Sequence, residues 1–254
     1  MTRSTPWVLL LALVSGMPRA ATAGPSTSSA IDANTIVQAA DKRAAAFADQ
    51  SYTASMEIFK GGELRKTLRF HMIMQGLDKQ LITFQAPGEV AGMKILMEDK
   101  DTLYVYSPEF KKVRRIAAHM QNQGLFGSTF TYEDMAQAAL APLFDAKLLG
   151  KQGDETTLEL RPKQGVVSSY PHLEIVIDAR QGGVTKIRYF DSAGNVVREQ
   201  IRDQWTKIAG KPMPMRLTMK NFKTGDSTVI SLSDVKVDQA VDRAVFSRRT
   251  LMRG

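Results

Sequence analysis

Apolar and polar residues alternate along most of this chain with a period of two, which predicts a protein built from antiparallel β-strands. The clearest run is Tyr52–Ile58, where every second residue is apolar, and a similar run over Leu64–Met74 follows it. Gly61 and Gly62 between them provide a two-residue hairpin turn. Comparable runs continue to the end of the chain and give about eleven strands. Since each strand has one apolar face, the pattern predicts a sheet that buries one side.

Two segments depart from this alternation and predict helices. Ile31–Gln50 has apolar residues at helical spacing, with Asp32 or Asn34 placed to cap its first turn. A short helix is predicted over Thr131–Leu140, inside the segment Ala117–Leu149 where alternation is weak. A sheet of this many strands must curl, and its apolar concave face then needs a cover. We therefore predict a mainly β (α+β) fold: a large curled antiparallel sheet, or unclosed β-barrel, whose concave face is covered by helices.

The first residues carry the pattern of a secretory signal peptide. A positive n-region precedes the apolar run Trp7–Val14, and Ala21–Ala23 forms a small-x-small cleavage site. We expect residues 1–23 to be removed, residues 24–30 to be a flexible tether and residues 31–254 to form a single domain. The sequence contains 0 Cys, so we expect no lipid anchor attached through a cysteine. The predicted location is the periplasm, in soluble form.

Composition and motifs argue against most catalytic chemistry. The chain has 0 Cys and 3 His, and the histidines have no acidic partner at metal-ligand spacing, so we predict no thiolate or metal site. It contains no Gly-x-Ser-x-Gly elbow, no Gly-x-Gly-x-x-Gly fingerprint and no phosphate-binding Gly-Lys-Ser/Thr motif. The net charge of +8 is consistent with basic residues scattered over solvated strands or with an affinity for anionic surfaces and ligands. We expect a protein that is not an enzyme, holds no cofactor and binds no nucleic acid.

Methionine is frequent, with 13 residues, and several lie on the apolar side of neighbouring predicted strands. Because methionine is flexible and polarizable, it packs against irregular or variable apolar shapes. Two interpretations stay open: an ordinary core filled with methionine, or a hydrophobic cavity that binds acyl chains. The candidate cavity residues are Met56, Ile58, Phe70, Met72, Met74, Phe84, Met93, Ile95 and Met97.

Two charged pairs lie on either side of the predicted insertion. The basic pair Arg114 and Arg115 precedes it. The acidic pair Glu133 and Asp134 lies in the first turn of its helix, where the helix dipole favours carboxylates. We predict that one arginine binds one carboxylate and latches the insertion to the sheet. A solvated strand face is the alternative interpretation of the basic pair.

An aromatic loop lies between glycines just before this helix. Leu125, Phe126, Phe130 and Tyr132 are the candidate lid or gate residues. As a gate they would plug an empty cavity or contact a membrane or partner during transfer, because apolar side chains on a mobile loop are costly to leave in water. A fixed hydrophobic anchor for the loop is the alternative.

Several blocks of the sequence match one family. The most specific are Lys112–Ile116, with Arg-Arg-Ile, and Gly127–Met135, with Gly-Ser-Thr-Phe-Thr-Tyr-Glu-Asp. Weaker blocks are Leu158–Lys163, Phe190-Asp191 with Gly194, and Pro214–Leu217 followed by Thr228. On these blocks the chain resembles the LolA-like outer-membrane lipoprotein-sorting proteins, in particular the longer branch associated with exporters of the resistance-nodulation-division type.

The resemblance implies an unclosed β-barrel lidded by helices around a cavity for acyl chains. It implies a periplasmic carrier or chaperone, expected to be a monomer in transient contact with membranes, that shuttles a lipid or lipoprotein toward the outer membrane. Its partners would be an inner-membrane exporter and an outer-membrane acceptor. The alternative is a non-transporting accessory or sensor subunit of an exporter complex, with a packed interior. Cavity volume separates the two, since a packed core leaves only water-sized voids.

Overall fold

The computed structural model describes residues 32–99, 102–117, 123–132, 134 and 139–252. Within these residues, thirteen strands form a single antiparallel sheet. The strands are β1 (Asp49–Lys60), β2 (Glu63–Gln75), β3 (Lys79–Ala86), β4 (Lys94–Asp99), β5 (Thr102–Ser107), β6 (Lys112–Arg115), β7 (Phe144–Gln152), β8 (Glu155–Pro162), β9 (Leu173–Asp178), β10 (Gly183–Phe190), β11 (Val196–Ile208), β12 (Lys211–Asn221) and β13 (Ser227–Val237). The helical elements are α1 (Ala33–Ala44), α2 (Arg248–Leu251) and the 3-10 turns Leu125–Gly127 and Arg243–Val245. No helix in this part of the chain is long and apolar enough to cross a membrane.

The strand order brings the two halves of the chain together in the middle of the sheet. Strands β1 to β6 follow one another outward to one edge, and β7 to β13 return from the opposite edge until β13 pairs with β1. The chain between β6 and β7 therefore has to cross from one edge of the sheet to the other. We call the described residues of this connection, 116–117, 123–132, 134 and 139–143, the crossover segment. Within the described residues the edge strands β6 and β7 do not pair with each other, so the curled sheet is unclosed.

The concave face of the sheet holds the main core. Twisted sheets of this size cannot stay flat, so the face with the apolar residues curls inward. The alternation of apolar and polar residues in the sequence places the apolar side chains on this face. Ala54 and Met56 of β1 lie opposite Phe70 and Leu68 of β2, and all four are buried. Burying such a side chain contributes about 1.5 to 3 kcal/mol. The predicted fold class, a mainly β curled sheet with helical cover, is confirmed.

A second, smaller core lies on the convex face. Phe246 and Leu251, which follow β13, are buried against Leu81 of β3 and Leu96 of β4. The guanidinium of Arg248 lies 5.5 Å from the centre of the Tyr104 ring. The C-terminal segment thus covers the outer side of β3 and β4, which is why these strands bury residues on both faces.

The sheet has more strands than the sequence pattern predicts, because β7 lies in the segment where alternation is weak. Its register against β8 shifts between Leu148 and Gly150, and both Leu148 and Leu149 are 48% exposed. A bulge places two successive residues against one partner and interrupts the period of two. The strand is therefore invisible to a search for strict alternation.

Helix α1 begins as predicted and ends earlier. The carboxylate of Asp32 accepts a hydrogen bond from the backbone N–H of Asn34, which caps the first turn. The helix stops at Ala44 rather than Gln50, because β1 begins at Asp49. The buried Asp49 carboxylate accepts hydrogen bonds from backbone N–H groups of residues 239 and 241, at 2.8 and 3.1 Å. Tertiary contacts thus override helix propensity at this point.

Candidate functional site

The concave face holds a partly open cavity of about 240 Å³ between the sheet, α1 and the crossover segment. A packed interior leaves voids close to the size of a water molecule, whose share of liquid volume is about 30 Å³. At about eight times the volume of a water molecule, this cavity is too large for a packing defect, and it lies just below the range of about 300 to 1,000 Å³ typical of pockets for drug-sized ligands. Its apolar lining includes Ala40, Phe47, Phe70, Met72, Met74, Phe130, Val184, Met213, Leu217, Ile230 and Leu232, and its polar lining includes Asp41, Arg43, Gln50, Gln80, Asp134, Gln200 and Arg202.

The predicted cavity residues divide into two groups. Phe70, Met72 and Met74 line the cavity. The others belong to the concave core, where all but the half-buried Met93 are fully buried: Met56, Ile58, Phe84, Met93, Ile95 and Met97. Both interpretations of the methionine-rich face therefore have a counterpart in the structure. A packed core adjoins a cavity, and the boundary falls along β2.

The methionine wall of the cavity also accepts hydrogen bonds. The hydroxyl of Tyr52 donates to the sulfur of Met72 at 2.7 Å, and the side-chain amide of Gln50 donates to the sulfur of Met74 at 3.4 Å. Burial raises the pKa of the Tyr52 hydroxyl, so it stays neutral. The polar side chains of Gln50 and Tyr52 on β1 thus form hydrogen bonds with neutral sulfur atoms, and this side of the cavity is uncharged.

The crossover segment is anchored to the middle of the sheet. The backbone N–H of Thr129 donates to the hydroxyl of Thr228 on β13 at 2.9 Å, and the Thr129 hydroxyl donates to the carbonyl oxygen of Met219 on β12 at 3.0 Å. Thr129 and Thr228 are both buried. The crossover segment therefore lies across the concave face and forms one wall of the cavity.

A buried ion pair strengthens this anchor. One Nη of Arg198 on β11 donates to the Asp134 carboxylate, with the two side chains only 7% and 4% exposed. The same guanidinium donates to the Thr129 carbonyl oxygen at 2.6 Å and to the Tyr170 hydroxyl at 2.7 Å, and lies 4.9 Å from the centre of the Tyr189 ring. Burial lowers the pKa of Arg198, but Asp134 and the tyrosines outweigh it and the net pKa is raised. The arginine is thus a permanent cation matched by one carboxylate.

Asp134 also caps the short predicted helix. Its carboxylate accepts hydrogen bonds from the backbone N–H and the hydroxyl of Thr131, at 2.7 and 2.9 Å. The Thr131 hydroxyl in turn accepts from the backbone N–H of Asp134 at 3.0 Å. This reciprocal arrangement is a capping box. Thr131 is therefore the cap that the sequence predicts, although most of the helix lies outside the described residues.

For Asp134 the structure replaces the predicted arginine with another one, whereas a pairing of Arg114 or Arg115 with Glu133 stays a prediction. Asp134 binds Arg198, which the sequence analysis did not select, and Glu133 lies outside the described residues. Arg114 and Arg115 are exposed on the edge strand β6, opposite Val105 and Tyr104. Sequence proximity suggested a neighbouring basic pair, whereas the topology places the crossover segment above β11.

The aromatic loop is largely buried. Leu125 and Phe130 are 0% and 2% exposed, and their backbones are joined by a hydrogen bond of 2.8 Å. Phe126 is half-buried with a φ of 51°, and its ring meets that of Phe84 edge-on at 4.7 Å. Tyr132 is half-buried, and burial raises its pKa. Of these residues, Phe130 lines the cavity.

Helix α1 is fastened to the crossover segment and to the edge strand β7. The Asp41 carboxylate accepts hydrogen bonds from the backbone N–H groups of Leu140 and Ala141, the shortest at 2.7 Å. The Asn34 side-chain oxygen accepts one from Ala146 on β7 at 2.8 Å. Burial raises the pKa of Asp41, against the opposing effect of these N–H groups and Arg202. Together α1 and the crossover segment cover the cavity.

Strand β11 supplies the polar residues that sequence reasoning missed. Arg198, Gln200 and Arg202 occupy alternate positions, and Gln200 and Arg202 line the cavity. Glu199 and Asp203 lie on the other set of alternate positions and pair with arginines on the convex face. Because both faces of the strand are polar, hydropathy gives no sign of which one points inward. The one signal in the sequence was the spacing of Arg198 and Arg202, which are four residues apart and therefore lie on the same face of a predicted strand.

Comparison with known proteins identifies the fold and the family. A family model described as "Uncharacterized protein" matches residues 76–253, well over half of the chain, whereas no curated protein matches it. A DUF1329 family protein from Desulfovibrio piger is 24% identical with a TM-score of 0.79, covering 87% of this chain and 99% of its own. A domain from Vibrio parahaemolyticus named for outer membrane lipoprotein sorting is 22% identical with a TM-score of 0.77, covering 87% and 98%. A LolA superfamily protein from Nitrosomonas europaea is 18% identical with a TM-score of 0.72, covering 87% and 100%. The chain belongs to the family that this model describes, and it has the LolA-like fold of these solved structures.

Proposed function

We propose that this protein is a non-enzymatic carrier that binds an acyl chain of a lipid or lipoprotein in the cavity beneath α1 and the crossover segment. The cavity of about 240 Å³ carries this proposal. It lies on the concave face, its walls are rich in methionine and other apolar side chains, and it has a cover that is not part of the sheet. An accessory or sensor module with a packed interior would leave only voids close to the size of a water molecule.

The cavity volume sets the size of the cargo. An engineered apolar cavity of about 150 Å³ holds one benzene, so by proportion a volume of 240 Å³ holds on the order of ten carbon atoms. Ten buried methylenes contribute about 8 kcal/mol, and association costs at least about 4 kcal/mol. The difference of about 4 kcal/mol corresponds to a Kd of about 1 mM. Such moderate affinity suits a carrier, which has to release what it binds.

The cover determines how the cargo enters and leaves. Among the lining residues, Arg43 and Ala44 at the end of α1 are exposed, so the cavity comes closest to the surface there. We propose that α1 moves away from the sheet during transfer, which breaks the hydrogen bonds of Asp41 to the crossover segment. Transfer needs no chemical step, because the chain is only shielded from water between two membranes.

The proposed location is the periplasm, and the proposed route leads toward the outer membrane. The apolar run and the cleavage site of residues 1–23 support export. The absence of cysteine supports a soluble carrier without a lipid anchor of its own. An inner-membrane exporter and an outer-membrane acceptor are the proposed partners.

Two tryptophan substitutions test the cavity. Met74 lines it, whereas Met56 is 0% exposed in the packed core beside it. Met74→Trp should fill the cavity and abolish binding of the neutral fluorescent probe naphthalene, which has ten carbons, with little change in stability. Met56→Trp should destabilise the fold by about 1 to 3 kcal/mol through overpacking. Probe fluorescence and thermal melting measure the two effects.

The carrier proposal fails on a specific pair of results. If the wild-type protein does not bind the probe, and Met74→Trp lowers the melting temperature as much as Met56→Trp, the interior behaves as a solid core. The accessory or sensor subunit then becomes the better interpretation.

A further inference from the structure

A cavity for an acyl chain alone has no need of a cation, yet Arg202 lines this one. Its Nε donates to the side-chain oxygen of Gln200 at 3.0 Å. Within the described part of the chain, no carboxylate lies within 4.0 Å of its guanidinium, in contrast to Arg198 with Asp134. Removing a charge from water without pairing it is unfavourable. An anion that binds the Arg202 guanidinium would therefore be stabilising.

The free nitrogens of this guanidinium face the cavity. In the described residues, every side-chain nitrogen or oxygen that is fully buried has a hydrogen-bond partner. The two Nη atoms of Arg202 donate no hydrogen bond within the described residues, so they are not fully buried. Because Arg202 is a lining residue of the cavity, we infer that their accessible surface faces it. Up to four N–H donors thus point where a ligand would lie.

The carboxylates of the lining are already occupied. Asp41 interacts electrostatically with Arg202, but its oxygens accept hydrogen bonds from the backbone N–H groups of Leu140 and Ala141. Asp134 is neutralised by Arg198. The oxygens of both carboxylates therefore already accept hydrogen bonds from other donors. Arg43, Arg198 and Arg202 stand against Asp41 and Asp134, so the charged side chains around the cavity carry a net charge of +1.

A second cation stands where the cavity approaches the surface. The side chain of Arg43 is exposed, and its guanidinium lies on the backbone of Gly182, with Nε only 2.6 Å from where a Cβ would be. Gly182 has a φ of +64°, so both its conformation and this close approach favour glycine. In the described residues Arg43 forms no ion pair within 4.0 Å, so it too is available to an anion.

We propose that the cavity is selective for a single-chain amphiphile with an anionic head, a carboxylate or a phosphate, which binds the guanidinium of Arg202, while Arg43 attracts it at the mouth. This inference rests on the proposed carrier function and adds the class of ligand. The apolar chain lies along the methionine wall of β2, and the head lies at β11. Guanidinium groups bind both carboxylate and phosphate through paired N–H donors.

Displacement of naphthalene by three ligands with the same ten-carbon chain tests the selectivity. Decanoate, decyl phosphate and decanol differ only in the head group. We expect at least one anion to displace the neutral probe about tenfold or more better than decanol, because hydrogen bonds to a charged group are stronger than neutral ones. The ratio between decanoate and decyl phosphate identifies which head the site prefers.

Three variants assign the effect to Arg202. Arg202→Gln should reduce the preference for anions to less than about threefold and leave decanol unchanged, whereas Arg202→Lys should keep a good part of the preference. Arg216→Gln is the matched control, since Arg216 pairs with Asp203 on the convex face. It should leave all three ligands unchanged.

The outcomes separate this inference from the carrier function. If wild-type protein binds the neutral probe and decanol displaces it as well as both anions, the inference is overturned and the carrier function stands. An anion preference that persists in Arg202→Gln also overturns the assignment to Arg202. If the wild type does not bind the probe at all, the carrier function itself fails.

Discussion

Breaking the buried ion pair between Arg198 and Asp134 should destabilise the fold much more than breaking an exposed pair. The two side chains are 7% and 4% exposed, so neither charge reaches water when its partner is removed. We consider the variants Arg198→Met and Asp134→Leu, separately and together. Each single variant leaves a buried polar group without its partner, whereas the double variant replaces both by apolar side chains.

The structure sets the expected size of the effect. Losing one member of a buried ion pair costs about 3 to 5 kcal/mol. Asp134→Leu also removes the acceptor for the backbone N–H of Thr131, and Arg198→Met removes the donor to the Thr129 carbonyl oxygen. For a domain of this size, 1 kcal/mol lowers Tm by about 2 to 4 °C. Each single variant should therefore melt roughly 6 to 20 °C below the wild type.

Urea denaturation of the wild type, both single variants and the double variant gives the coupling energy. We expect the double variant to be less destabilised than the sum of the single variants by about 2 kcal/mol or more, since apolar replacement of a buried pair is often tolerated. The control cycle uses Arg216 and Asp203, whose side chains are 40% and 37% exposed. An exposed pair should couple by less than about 1 kcal/mol.

A coupling energy between Arg198 and Asp134 no larger than that of the exposed control would refute this reasoning. The contact would then be incidental, and the crossover segment would be held by its backbone contacts alone. A third cycle, between Arg114 and Asp134, tests the latch predicted from the sequence. Because Arg114 is exposed on β6, we expect additive effects there.

Two further predictions concern pH and the aromatic loop. Burial and Lys236 lower the pKa of His71 below about 6.5. Just below that pH the unfolded chain binds more protons at His71 than the folded protein does, so the stability of the fold should fall on acidification. His71→Gln should therefore flatten the pH dependence of Tm between about pH 6.5 and 5.5. Phe130→Ala should cost about 3 to 5 kcal/mol because Phe130 is 2% exposed, and a cost below that of Phe126→Ala would contradict the burial argument. If Phe126 acts as a gate, Phe126→Ala should slow transfer between donor and acceptor vesicles more than it weakens probe binding.

The sequence predicts the fold well because strand alternation is a local signal. Tyr52–Ile58 and Leu64–Met74 each alternate over several residues, so one buried face could be assigned before any contact was known. The start of α1 was predictable for the same reason, since Asp32 caps a helix only two residues away. The end of α1 was not, because the contacts of Asp49 with the chain after β13 are distant in sequence.

The candidate site was only partly predictable because it is built from long-range contacts. Met72 and Met74 belong to an alternating apolar face, so the sequence places them correctly on the inside. The partner of Asp134 lies 64 residues further along the chain, and only the strand order brings it beneath the crossover segment. Gln200 and Arg202 lie on a strand with polar residues on both sides, where hydropathy cannot distinguish the inner face.

The topology also explains how the cavity could open without unfolding the sheet. Hydrogen bonds between strands are continuous from β6 to β7 through the centre of the sheet, whereas α1 and the crossover segment are joined to it mainly through side chains. Asp41, Asn34 and Thr129 each contribute one to three hydrogen bonds, and a typical hydrogen bond adds only about 1 kcal/mol. The Arg198 ion pair holds the crossover segment more firmly than Asp41 holds α1. If the cover opens in stages, α1 should therefore separate from the sheet before the crossover segment does. The exposed end of α1 at Arg43 is then the side on which an anionic head group would reach the cavity.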